Sequence, residues 1–151
     1  MLLQRLPVLI AALWWGGITA LSFVAVPMLF MQLGNPALAG GVAAKLFAFQ
    51  SHAGLLLGLA LLVILRRGTE DGGRPDGPTI TTLGFVLLAM LLALLQQYGV
   101  AHNIVTARAS GGNLRLWHGL GTAMVFGQWV CAAVVLWRVS GARGGAERPA
   151  P

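Results

Sequence analysis

Three histidines, His52, His102 and His118, carry most of the chemistry available to this chain, and their companions are neutral polar residues rather than acids. Gln50 and Ser51 precede His52. Gln96-Gln97-Tyr98 precede His102 and Asn103, Trp117 precedes His118, and Gln128 follows further on. A neutral imidazole can ligate haem iron or copper. Away from water it otherwise needs a hydrogen-bond partner. Two readings follow. In one, His52 and His118, with Gln97 and Gln50 beside them, hold a metal or haem b. In the other, the same residues hydrogen-bond between helices, at about 0.6–2 kcal/mol apiece. No His-x-x-x-His pair occurs within one segment, so the structural reading leads and the ligand reading stands as its rival.

Other chemistries find little support. Cys131 is the single cysteine, cannot form an internal disulfide, and is assigned to packing. Met28 and Met31 lack a Met-x-x-Met repeat and read as gap-filling or interfacial residues rather than copper ligands. There is no Gly-x-Ser-x-Gly, no phosphate loop and no carboxylate pair among the apolar runs. A carboxylate of the kind that lines ion pathways is missing from those runs as well. The reading is therefore non-catalytic.

The elements that position these residues are four apolar runs, Pro7–Phe30, Leu46–Leu65, Ile80–Ala101 and Leu116–Trp137, none of which holds Asp, Glu, Lys or Arg. Crossing about 30 Å of hydrocarbon takes roughly 20 apolar residues as a helix, and each run is long enough. Hydrophobic residues make up 57% of the 151 and charged residues 9%, against about 25% charged in a soluble domain. The fold class expected is an all-α integral membrane protein, a four-transmembrane-helix up-down bundle. Its helices are placed at about 7–30, 42–66, 80–104 and 114–138 within a domain of residues 1–139, followed by a disordered cytoplasmic tail at 140–151.

The connections fit that plan. Asn35-Pro36 reads as a cap and a first helical residue, the Gly- and Pro-rich stretch Gly68–Pro78 as a linker, and Thr79 and Asn113 as caps of the third and fourth helices. Arg5 before an apolar stretch raises the possibility of a signal peptide. The run is too long for one and carries Trp14-Trp15 and Phe23, so the first helix is expected to be retained. Four spans put Arg5, Arg66, Arg67, Arg74, Arg138, Arg143 and Arg148 on one side and Lys45, Arg108 and Arg115 on the other. Seven against three predicts cytoplasmic N and C termini. The net charge of +6 reads as topology. Nucleic-acid binding is not expected, because no basic cluster is interleaved with aromatics, whereas Arg66-Arg67 suits anionic lipid headgroups.

At 1.5 Å per residue, His52 falls roughly 9 Å and His118 roughly 3 Å inside the outer ends of their runs, with His102 at the edge. His52 and His118 are thus expected to face the bundle interior within reach of each other. Gly54 and Gly58 form a small-xxx-small motif, with Ser51 on the same face, and are expected at a helix–helix contact. Gly16-Gly17 and Gly121 are candidates for the same role. Trp117 and Trp137 read as interfacial belt residues, and Trp14-Trp15 as bundle packing.

Trp14-Trp-Gly-Gly17, Ser22-Phe-Val-Ala-Val-Pro-Met-Leu-Phe30 and Ala39-Gly-Gly-Val-Ala-Ala-Lys-Leu-Phe47 resemble the bacterial domain of unknown function 4149 family, which is similar in turn to transmembrane-protein-205-like proteins. Leu116-Trp-His-Gly-Leu120 looks like that family's closing segment. The resemblance runs from Leu6 to about Val139 and implies a four-helix inner-membrane protein. More distantly, the layout resembles copper-resistance-D-type and haem-dependent protoporphyrinogen-oxidase-type membrane proteins. Those place a histidine ahead of a Trp-x-Gly in the first helix, where this chain reads Leu9-Ile-Ala-Ala-Leu-Trp14. The reading adopted is a bacterial inner-membrane protein, non-catalytic, with a polar His/Gln cluster in its outer half. Its partner is the lipid bilayer, and a homo-oligomer is left open. The alternative is a haem-b- or copper-binding protein using His52 and His118. Nine Arg against one Lys, with heavy Ala and Gly usage, suits a high-GC bacterium.

Overall fold

The computed structural model describes residues 2–67 and 76–141, and among these every regular element is a helix. Helix α1 (Leu2–Thr19) passes into a π-helical segment, Ala20–Ala25, and then into α2 (Val26–Leu33) without interruption. Pro27 explains the wide turn. Proline has no N–H to donate, and its ring presses on the carbonyl four residues back in a regular α-helix, here Phe23. Opening the preceding turn, so that the Val26 N–H reaches the Leu21 carbonyl, relieves that conflict. Gly34 ends α2 with φ 58°, a backbone conformation that glycine adopts freely. Asn35 Oδ1 then accepts from the backbone N–H groups of Ala37 and Leu38 at 3.0 and 3.2 Å, and α3 runs Pro36–Arg67.

Helix α4 (Gly77–Leu94) is capped by Asp76, whose Oδ1 accepts from the Thr79 N–H at 3.0 Å. The cap expected at Thr79 therefore sits three residues earlier. Aspartate is the stronger N-cap, and Pro78 is tolerated in a first helical turn. A second π segment, Leu95–Val100, leads into α5 (Ala101–Ser110), which ends at Gly111 with φ 74°. Asn113 caps α6 (Leu114–Gly141) by accepting from the Leu116 N–H at 3.0 Å. Ser140 and Gly141, expected in the tail, belong to this helix. The rest of that expected tail and most of the Gly68–Pro78 linker lie outside the described residues.

Four continuous helical stretches result: Arg5–Leu33, Pro36–Arg67, Gly77–Ile104 and Leu114–Gly141, each long and apolar enough to cross a membrane. Neighbours pack in a ring, α1 on α3, α3 on α4, α4 on α6 and α6 back on α1. The large apolar core, with Trp14, Ile18, Leu61, Val86, Ala132 and Val135 at its centre, lies mainly in the half of the bundle that holds the α1 start and the α6 end. In the other half no residue of Ala20–Leu33 is buried. The buried positions there are mostly small or polar, Ala39, Ala43, Gln50, Ser51, Gln96, Ala107 and Gly121, with Val100 and Val125 beside them.

Candidate functional site

The polar layer lies where the large apolar core ends. Gln128 on α6 donates from Nε2 to Oε1 of Gln96, the second residue of the second π segment, at 2.7 Å, and both side chains are buried. In hydrocarbon an unpaired amide costs several kcal/mol, so two amides that answer each other fix how α6 sits against this segment. Beside Gln128, Trp129 donates from its indole Nε1 to Thr19 Oγ1 at 2.9 Å, and Thr19 donates in turn to the Trp15 carbonyl at 2.8 Å. The rings of Trp15, Phe23 and Phe126 each lie 5.8 Å from that of Trp129. The first span and the last are thereby joined at the same level as the glutamine pair.

Gln50 and Ser51 occupy the buried face of α3 at 7% and 1% exposure. Among the described residues neither amide atom of Gln50 has a hydrogen-bond partner, nor does Ser51 Oγ, Ser22 Oγ or Trp15 Nε1. Their height follows from registry. Gly58 meets Met90, so Gln50, about 12 Å further along α3, lies level with the second π segment, against which α3 also packs. Ser22 lies within the first π segment. Both distorted turns and the unpaired atoms of Gln50, Ser51 and Ser22 therefore fall within one band across the bundle.

The histidines are elsewhere. His52 is exposed, with Nδ1 within 2.7 Å of the Ala48 carbonyl on its own helix. That bond makes Nδ1 the protonated nitrogen. His118 and His102 are exposed too. The expectation that His52 and His118 face each other inside the bundle is not met at His52, and the reason there is angular. At 100° per residue, a helix that buries Gln50, Ser51, Gly54 and Gly58 turns His52 to its opposite face. Gln97 is half-buried, and it is its neighbour Gln96 that reaches across to α6. The described residues contain no group of three or more His, Cys, Asp or Glu arranged to hold a metal ion. A haem or copper atom shared by His52 and His118 does not fit a His52 side chain turned to the opposite face of α3.

The packing residues show close approach. A Cβ added to Gly54 would stand 2.9 Å from Trp14 Nε1, and one on Gly58 would stand 2.7 Å from Met90 Cγ and 3.2 Å from Trp14 Cη2. A Cβ on Gly127 would be equally tight, 2.9 Å from Leu92 Cδ1, and the one sequence signal for it is Ala123 four residues before. Gly121 makes ordinary contact with Val100 and Ile104, while Gly16 and Gly17, expected to pack, have nothing within 4 Å. Trp137 is 80% exposed at the far end of α6, and Cys131 is a buried free thiol.

Four apolar spanning helices closed around polar bonds between helices define a multi-pass, all-α membrane protein. Residues 9–113 match the family described as "Domain of unknown function (DUF4149)", and the chain belongs to that family. The matched region takes in the first three spans and both π segments but stops short of α6, which supplies Gln128 and Trp129. No curated protein and no solved structure matches the chain.

Proposed function

We propose that this is a non-catalytic inner-membrane bundle whose working part is the neutral polar layer of Gln50, Ser51, Gln96 and Gln128. The buried Gln96–Gln128 hydrogen bond at 2.7 Å carries the reading. Lipid tails are as apolar as leucine, so burial contributes little to helix association in a bilayer, and close packing and hydrogen bonds must select the arrangement. A double-mutant cycle on the purified protein tests it. Gln96→Leu or Gln128→Leu alone strands one amide and should destabilise by about 1–3 kcal/mol. The double Leu variant should lose clearly less than the sum of the two. Strict additivity would remove the pair from the reading.

A second reading is favoured by Gln50 and Ser51, whose side-chain polar atoms lack partners among the described residues. They offer a donor and acceptors to a small uncharged molecule, water included, beside an outer half in which α2 buries no residue. Exchange of the Gln50 side-chain amide with D2O, followed by NMR in nanodiscs, separates the readings. Exchange as slow as that of the Gln96–Gln128 pair would mean a dry contact.

The orientation proposed places both termini in the bacterial cytoplasm, on the basic count. Reporters after Pro151 and near Gly72 should read cytoplasm, and insertions near Asn35 and Gly111 the opposite side. Periplasmic activity at the C terminus would reverse the assignment.

A further inference from the structure

The end of the bundle remote from the polar layer holds an open cleft of about 600 Å³. Its apolar wall comes from three spans, through Pro7, Leu65 and Val139, and its polar side from Thr79, Thr82 and Arg138, with Asp76 at the start of α4. Arg138 is half-buried and held in place. Its Nε donates to Thr82 Oγ1 and its Nη2 to the Pro78 carbonyl, both at 2.9 Å, while Thr82 Oγ1 itself donates to that carbonyl. These bonds use two of the five N–H groups of a guanidinium and set the plane of the rest. Arg5 stands just before Pro7, Arg66 and Arg67 just after Leu65, and the exposed indole of Trp137 also lines the cleft.

We propose that this cleft seats one anionic phospholipid, its phosphate on the Arg138 guanidinium and its acyl chains along the apolar wall. Charge complementarity chooses the occupant. Four arginines crowd this end of the described chain, and among the described residues Asp76 is the single carboxylate on the cleft. A guanidinium already oriented by neutral acceptors binds a phosphate with a planar pair of charge-assisted hydrogen bonds and little further ordering. The wall made of spans that face lipid, and a tryptophan of the interfacial kind, favour a lipid phosphate over a soluble anion.

The test is the melting temperature of the detergent-purified protein with phosphatidylglycerol, with phosphatidylcholine of the same chains, and with inorganic phosphate. Native mass spectrometry reads retained lipid in parallel. Phosphatidylglycerol should stabilise well beyond phosphatidylcholine, and inorganic phosphate should not. Arg138→Gln should weaken phosphatidylglycerol retention about tenfold, the loss expected when a charge-assisted bond is removed. Because Arg138 also ties α6 to α4, a lower starting melting temperature is expected in that variant, and the headgroup difference is the quantity compared. Thr82→Val keeps the charge but frees Nε, and should reduce the preference without abolishing it. If Arg138→Gln fails to fold, an unchanged preference in Thr82→Val overturns the proposal. So does equal stabilisation by the two lipids, a response to inorganic phosphate alone, or a preference that survives Arg138→Gln and disappears in the Arg66→Gln/Arg67→Gln double variant.

Discussion

The two halves of the bundle are held in different ways. In the half that contains the α1 start and the α6 end, large side chains interlock with glycines: Trp14 lies over Gly54 and Gly58, Met90 over Gly58 and Leu92 over Gly127. In the other half the buried residues are mostly small or polar, both helices that bear π segments widen, and Gln96–Gln128 and Trp129–Thr19 mark the level where this begins. The difference reflects what a bilayer leaves available. Close packing gains dispersion contacts wherever shapes match, and where they do not, hydrogen bonds select the partner.

The largest effect should come from overfilling the tight half. Gly54→Leu drives a side chain into the rigid Trp14 indole and is expected to destabilise by about 1–3 kcal/mol in thermal melts. Gly58→Ala should cost less, since Met90 is flexible and can move. The reverse order would mean that Trp14, not Met90, is the side chain that yields. In the polar half, Trp129→Phe keeps the ring stack but removes the bond to Thr19, with an expected loss of about 0.6 kcal/mol, the average for such bonds between membrane helices. No loss would leave the aromatic cluster alone as the tie between α1 and α6.

Asp76 offers a smaller, pH-dependent effect at the end of the tight half. The Thr79 hydroxyl, and then its backbone N–H, hold the Asp76 carboxyl below its ordinary pKa. A depressed folded-state pKa means that the contribution is complete above the unfolded carboxylate pKa and is lost as pH falls through the folded value. Melting temperature should therefore decline on acidification into that range, and less so in Asp76→Asn, which still caps but does not titrate. Equal declines would assign the effect to other carboxylates. The smallest effects should be at the histidines. With both rings outside the core, His52→Ala and His118→Ala should each change stability by under about 0.5 kcal/mol, as surface substitutions do. A Soret band in the purified protein that either substitution abolishes would restore the haem reading.

Much of this architecture was legible without coordinates. Four uninterrupted apolar runs leave few alternatives to four spanning helices, since the backbone must satisfy its own hydrogen bonds in hydrocarbon. Asn35 and Asn113 signalled helix starts through local chemistry that acts within three residues. The outward turn of His52 was legible too, because Gln50, Ser51, Gly54 and Gly58 define a face and 100° per residue puts His52 opposite. Depth alone had suggested the contrary. Depth along a helix and direction around it are independent coordinates, and a site needs both.

What the sequence determined by itself is local: the length of each span and the caps at Asn35 and Asn113. What only the tertiary structure decided is which polar residues meet. Gln96 rather than Gln97 reaches α6, Trp129 finds Thr19 across 110 residues, and Arg138 reaches back 56 residues to Thr82. Such pairings depend on the rotation and registry of whole helices. These are set by the sum of many weak packing contacts, and no short stretch of sequence encodes that sum.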